Sequence, residues 1–155
     1  AQQEHLLDLM QKSVQKRLVA DVPLGAFLSG GVDSSVVVAL ASRDVEQLET
    51  FSIGYHDNPF FDETHYAETV AKHFNTKHTT FKLSQKDVYE VLFNVLDYID
   101  EPFADSSALP VYILSQYVKK HVTVALSGDG ADEMLGGYNK HWGEYRLRQG
   151  GLAAS

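Results

Sequence analysis

The chain has 155 residues, enough for one domain with a buried core, and no cysteine, which excludes disulfide staples, thiolate catalysis and cysteine-built metal sites. Hydrophobic residues make up 44% and charged residues 22%, the balance of a folded soluble protein and not of a disordered tail. The net charge of -8, the lack of an apolar run of membrane-spanning length and the lack of a signal peptide lead us to expect a cytoplasmic protein with neither nucleic acid nor membrane as partner.

In chain order, Glu4 to Ala20 places Leu7, Met10, Val14 and Leu18 at helical spacing among Gln, Lys and Arg, which describes an amphipathic helix. Asp21-Val22-Pro23 ends it and turns the chain into a first strand, Gly25 to Leu28. Ser29-Gly30-Gly31 breaks that apolar run, and a nearly all-apolar helix follows from Ser34 to Ser42, both faces of which should be covered. Strand, tight glycine loop and helix together make a cradle for an anion. The first N–H groups of the helix have no intrahelical partner, and its dipole adds partial positive charge there. Asp33 beside phosphates would repel them unless a divalent cation lay between, so Asp33 points to Mg²⁺. The loop lacks both the Gly-Lys-Ser/Thr ending and the third glycine of the common nucleotide motifs, and taken alone it also reads as a turn capped by Asp33 and Ser34.

Leu48 to Tyr55 reads as a second strand, closed by the loop Gly54 to Pro59. Asp62-Glu63 opens a helix with Ala67, Val70, Ala71 and Phe74 on its buried stripe, and Lys77 to Leu83 is a third strand. Ser84 with Asp87 three residues on predicts a cap for a long core helix carrying Val88, Val91, Leu92, Val95, Leu96 and Ile99. After the acidic stretch Asp100 to Ser107, Pro110 to Lys120 is helical and Val122 to Leu126 is a strand. Ser127-Gly128-Asp129-Gly130-Ala131-Asp132-Glu133 follows it directly, before a short helical stretch ending near Gly136-Gly137. From Tyr138 the pattern weakens, and 149–155 reads as a frayed end or a cut inside a larger domain.

Strands alternating with helices predict an α/β fold with an open, mostly parallel sheet and helices on both faces. Ligands of such sheets lie beyond the carboxyl ends of the strands, where both glycine loops fall. The seven histidines contain no pair at zinc-binding helical spacing, so packing or surface roles are expected of them. Lys16, Arg17, Lys119 and Lys120 are read as complementing helix ends.

The hexapeptide Ser29-Gly30-Gly31-Val32-Asp33-Ser34 resembles the pyrophosphate loop of the ATP pyrophosphatases. Together with Ser127 to Glu133, Gly136-Gly137-Tyr138 and Glu101-Pro102-Phe103-Ala104-Asp105, it is similar to the synthetase domain of the glutamine-hydrolysing asparagine synthetases, from the first helix to about His141. That resemblance implies the Rossmann-like fold of the adenine nucleotide alpha-hydrolases and a partial synthetase domain over residues 1–155. It implies ATP and Mg²⁺ as ligands, with Asp33 and Asp132 holding the metal and Ser29, Gly30, Gly31, Ser34 and Ser35 lining the phosphate loop. Leu28, Ile53 and Gly128 would face the adenine, with Ser127 alongside. Glu101 and Asp105 are candidates for the substrate-facing wall.

The implied reaction adenylates the side-chain carboxylate of aspartate, releases pyrophosphate and lets ammonia displace AMP. Asp129 stands where many relatives carry a glutamate that manages the proton of the ammonia, so the base role and the acceptor, aspartate or another carboxylate, are both open. The glutaminase domain that would feed ammonia, the later part of the synthetase domain and its catalytic lysine have no counterpart before Ser155. A related amidotransferase and a non-catalytic nucleotide-binding module are the rival readings, and homo-oligomerisation is left open.

Overall fold

The computed structural model describes residues 2–57, 60, 62–101, 105 and 107–149. Pro59, residues 102–104 of the acidic stretch and 150–155 of the terminal segment therefore lie outside the described residues. Four strands, β1 (Leu24–Phe27), β2 (Glu49–Tyr55), β3 (Lys77–Leu83) and β4 (Val124–Leu126), form one sheet in the order β3-β2-β1-β4. All three pairings are parallel. Each parallel pairing needs a crossover, and helices supply it: α2 (Val32–Ala41) links β1 to β2, and α3 (Thr64–His73) links β2 to β3. The chain then returns through α4 (Gln85–Glu90), α5 (Leu92–Leu96) and α6 (Ala108–Val118) to β4, on the opposite side of β1. Strand order thus reverses between β1 and β4.

The period-two alternation of the strands divides the core between two faces. Ala26 and Leu28 join Val14 of α1 (Gln2–Leu18), Val38 and Leu40 of α2, and Ala67 and Ala71 of α3 on one side of the sheet. Phe51, Val122 and the partly buried Phe27 meet Leu114 and Val118 of α6 on the other. Helices cover both faces, as expected from the alternation of elements. Among the described residues Phe51 is the largest fully buried side chain, and its ring lies nearly parallel to that of Phe81 at 6.3 Å.

On the α3 face, β2 buries polar side chains: Thr50 and Ser52, with His78 of β3 between them. The His78 ring bonds Thr50 Oγ1 through Nδ1 at 2.9 Å and Ser52 Oγ through Nε2 at 3.1 Å, and Thr50 Oγ1 also meets Thr76 Oγ1 at 2.7 Å. Burial holds the His78 imidazole below its ordinary value of 6.5, outweighing the nearby charge of Glu68 and the bond at Thr50. The folded state therefore takes up the His78 proton less readily than the unfolded chain. The resulting contribution to stability is complete above pH 6.5 and is lost as the pH falls below it toward the depressed value. Melting temperature measured between pH 7.5 and 5 is expected to fall, and His78→Phe is expected to flatten that fall; an unchanged slope would remove His78 from the account.

Three elements depart from the sequence reading. The helix expected through Val88 and Ile99 breaks at Val91 into α4 and α5, and only Val95 of its apolar residues is buried, while Phe93 is 74% exposed. The period was right, but the main packing partners of this segment among the described residues are α6 and the end of β3. The fourth strand begins at Val124 and not Val122, because the Val122 N–H still donates to Val118 O at the end of α6. Beyond Tyr138 the chain forms α8 (Asn139–Arg148), a helix with no buried residue, held locally by the Arg148–Glu144 pair and the stacked rings of Trp142 and Tyr145. The cap of α4 is as expected: Ser84 and Asp87 form a reciprocal capping box.

Candidate nucleotide site

Both glycine loops leave the carboxyl ends of β1 and β4, the neighbouring strands at the reversal point of the sheet. An open parallel sheet splays its connections to opposite faces there, which leaves a crevice above the strand ends.

The first loop is built from its own hydroxyls. Leu28 is buried, and its N–H donates to Phe51 O at 2.8 Å, which ties the end of β1 to β2. Ser29 N donates to Ser34 Oγ at 3.2 Å, the two serine hydroxyls lie 2.9 Å apart, and Gly31 N donates to Ser29 Oγ at 3.2 Å. Ser35 Oγ donates to Gly31 O at 2.6 Å. Gly31 is the N-cap of α2 and supplies no side-chain cap, so the first turn of α2 opens toward the crevice carrying Asp33. The plain capping reading of Asp33 and Ser34 does not describe this turn, since both residues lie inside the helix. Gly30 has φ of +86°, and a Cβ there would collide with Tyr66 and lie 2.6 Å from the Ala67 nitrogen. Only glycine fits a left-handed backbone pressed against another helix.

The second loop reaches the first. A Cβ on Gly128 would lie 2.9 Å from the Ser34 nitrogen and 3.1 Å from Asp33 Cβ, so the backbone after β4 packs directly on the first turn of α2. Ser127 Oγ donates to Asp129 Oδ2 at 2.9 Å. Gly130 caps the short helix α7 (Ala131–Leu135) with a left-handed backbone, and Asp132 stands in the first turn of α7, half-buried, as Asp33 does in α2. A Cβ on Gly137 would overlap the Asp132 carboxylate. Tyr138 Oη donates to Glu133 Oε1 at 2.6 Å. That bond, with the charges of Glu133, Asp132 and Asp129, pushes the Tyr138 phenol up to about 12, so four acidic or phenolic groups share one field. Beneath the loop lies a cavity of ≈ 250 Å³ lined by Arg17, Val37, Ser127, Gly128, Asp129 and Met134.

The remaining expected residues lie outside the two loops. Ile53 lies on β2, half-buried and packed on the α6-side core. Glu101 is exposed, and the Asp105 carboxylate is engaged at the start of α6, where it accepts from Ser107 N at 2.8 Å and Ser107 Oγ at 2.6 Å. Those bonds hold the Asp105 carboxyl below the usual carboxylate range. Arg17 bonds Ser13 one turn back in α1, and Lys120 lies over the Tyr117 ring. The sequence reading missed Tyr66 and Ala67 beneath Gly30, and the fit of Gly137 against Asp132. Both are contacts across the fold that no local pattern announces; the paired glycines at 136 and 137 were the single signal.

Among the described residues no group of three or more His, Cys, Asp or Glu side chains is arranged to hold a metal. A magnesium ion carried on phosphates takes one or two protein carboxylates and completes its shell with phosphate and water, and the half-buried carboxylates of Asp33 and Asp132 are of that number and kind. No helix among the described residues is long and apolar enough to cross a membrane.

The family description for asparagine synthase matches residues 5–153. A putative glutamine-hydrolysing asparagine synthetase 2 of Methanocaldococcus jannaschii is 43% identical over 141 residues, covering 90% of this chain and 27% of the relative. The glutamine-hydrolysing asparagine synthetase 2 of Arabidopsis thaliana is 35% identical, covering 86% of this chain and 25% of that protein. The chain thus spans about a quarter of the length of these relatives. Among solved structures, an NMN synthetase from Francisella tularensis superposes with a TM-score of 0.55 at 18% identity, covering 89% of this chain and 58% of that one. An NH3-dependent NAD synthetase from Campylobacter jejuni gives 0.53 at 16%, covering 88% and 58%. At such identities the likeness is one of fold.

Proposed function

Because the chain belongs to the asparagine synthase family, we propose that it forms the Mg-ATP-binding core of an ATP-dependent amide ligase of the asparagine synthetase type. The observation that carries this reading is the packing of Gly128 on Asp33 and Ser34, which sets two glycine loops side by side at the reversal point of the sheet. The α2 N-terminus and the Ser29-Gly30-Gly31 backbone receive the phosphates, and the main chain of Leu28, Ile53 and Gly128 borders the adenine, with Ser127 beside it. Asp33 and Asp132 are the residues that would hold Mg²⁺, which when bound offsets the charge growing on the departing pyrophosphate.

In the proposed reaction a carboxylate oxygen of aspartate attacks the α-phosphorus, and the bond to the β-phosphate oxygen breaks. Ammonia then attacks the acyl carbon and gives up a proton, for which Asp129 is the candidate acceptor, and the bond to AMP breaks to leave the amide. The sequence of steps replaces a poor leaving group, carboxylate oxygen, with a good one. The chain spans 27% of the length of the Methanocaldococcus jannaschii relative, and the proposal assigns to these 155 residues the nucleotide-binding share of the work.

A related amidotransferase acting on another carboxylate is the second reading. Asp129 favours it: the side chain is one methylene shorter than the family's usual glutamate, and it is drawn back to Ser127. Exchange of labelled pyrophosphate into ATP, measured across acceptor carboxylates on the complete protein, tests both readings. Aspartate-dependent exchange is expected; exchange with a different acceptor favours the second reading, and Mg-ATP binding without exchange for any acceptor would leave a nucleotide-binding module.

A further inference from the structure

Gly30 rests on the first turn of α3, and that turn is held by one carboxylate. Asp62 lies two residues before α3, and its Oδ1 accepts from Thr64 N at 3.1 Å and Thr64 Oγ1 at 2.6 Å. Oδ2 faces Lys82 Nζ of β3 at 3.4 Å. Thr64 is buried, and the end of β2 presses on the pair: a Cβ on Gly54 would lie 2.6 Å from Thr64 Cγ2 and 2.8 Å from Asp62 Oδ1. Two residues further along α3, Tyr66 and Ala67 meet Gly30, and Ala67 is completely buried. The Thr64 bonds, the hydroxyl first, hold the Asp62 carboxyl below its ordinary range, as befits an ionised acceptor.

We propose that Asp62 is a positioning residue for the phosphate loop: by accepting from the N–H and the hydroxyl of Thr64, the first residue of α3, it fixes the surface against which the left-handed Gly30 is seated. The path runs from Asp62 to Thr64, along the first turn of α3 to Tyr66 and Ala67, and across to Gly30. Its Thr64 and Ala67 are both buried. Loss of the acceptor lets the first turn of α3 fray, and the turn that frays is the one under the loop. Asn keeps an oxygen acceptor for Thr64 and forfeits only the exposed ion pair with Lys82, a contact of small worth. The effect on nucleotide binding rests on the functional reading above; the effect on the loop does not.

The test is amide hydrogen exchange on the full chain without nucleotide, for Asp62→Ala, Asp62→Asn and Thr64→Val. Exchange at Gly30, Gly31 and Asp33 should quicken at least about fivefold in Asp62→Ala and change by less than about twofold in Asp62→Asn, the ratio expected when a helix loses or keeps its N-terminal acceptor. Exchange in β4 should be unchanged in both. Thr64→Val, which keeps the N–H donor and removes the hydroxyl, should fall between them and serves alone if Asp62→Ala does not fold. Loop exchange that stays at the wild-type rate in Asp62→Ala or Thr64→Val, or rises equally in β4 and α6, overturns the proposal. In a parallel titration, Mg-ATP affinity should weaken in Asp62→Ala and recover in Asp62→Asn. A loosened loop in a chain that never bound Mg-ATP would sink the proposed function and leave the positioning role standing.

Discussion

Gly30→Ala is expected to weaken Mg-ATP binding by about two orders of magnitude, the penalty typical of a binding group displaced by about 1 Å. Two physical costs combine at this position. Holding alanine at a φ of +86° costs about 1–2 kcal/mol for the left-handed backbone alone. The new methyl would also meet the Ala67 nitrogen at 2.6 Å, a backbone atom that cannot swing aside as a side chain would. The loop must therefore move off α3, carrying with it the Ser29 and Gly31 groups that set its shape. Gly130→Ala separates the two costs, since its φ is +91° but a Cβ there meets nothing within 4 Å. It should lose stability of about 1–2 kcal/mol from backbone strain, with no displacement of its loop. At Gly31, with φ of -67° and Ser29 Oγ at 3.3 Å from the added methyl, alanine should be nearly silent for stability. Calorimetric titration and melting of the three variants together give the ranking, and equal ATP affinity in Gly30→Ala and wild type would refute the seating of the loop on α3.

The second large effect is expected at the carboxylates. Asp33→Asn and Asp132→Asn preserve shape and remove one charge each, and each should weaken Mg-ATP binding by about 10–100-fold, the cost typical of losing a group that tunes a bound metal. Stability should change by less than about 0.5 kcal/mol, because neither residue belongs to the core and the substitution is isosteric. The double variant should cost less than the product of the two single effects, since both groups serve one ion. The dependence on magnesium is diagnostic: without it, the carboxylates oppose the triphosphate, and removing one should leave ATP affinity unchanged or improved. Full Mg-dependent affinity in Asp33→Asn would take this residue out of the metal site. Gly137 enters the same argument, because the Asp132 carboxylate occupies the space that a Cβ would need.

What could be read in advance followed from local rules. The break of an apolar run at Ser29-Gly30-Gly31, its resumption at Val32, and the second glycine loop after Leu126 placed both loops at strand ends before any coordinates. The Ser84 and Asp87 spacing named a capping box that exists. Alternating strands and helices gave the parallel sheet with two covered faces. Contacts between distant segments were illegible. Nothing near Gly30 in sequence announces Tyr66 and Ala67, and nothing near Gly128 announces Ser34. Asp62-Glu63 precedes the helix it was read as opening, but the link of Asp62 to the phosphate loop exists only through the packing of α3. Periodicity misled at Val91, where a sound apolar repeat is interrupted and mostly only half-buried among the described residues. It was silent at α8, where one ion pair and one ring stack support a helix with no buried stripe to detect.

The central claim is that two segments distant in sequence act as one receptor for a magnesium-bound triphosphate. A titration of the full chain with Mg-ATP, following the backbone amide signals of Gly30, Gly31, Gly128 and Gly130 by nuclear magnetic resonance, tests it most directly. All four are expected to shift along a single saturation curve that disappears when magnesium is withheld. Signals that stay still, or a response confined to one of the two loops, would contradict it.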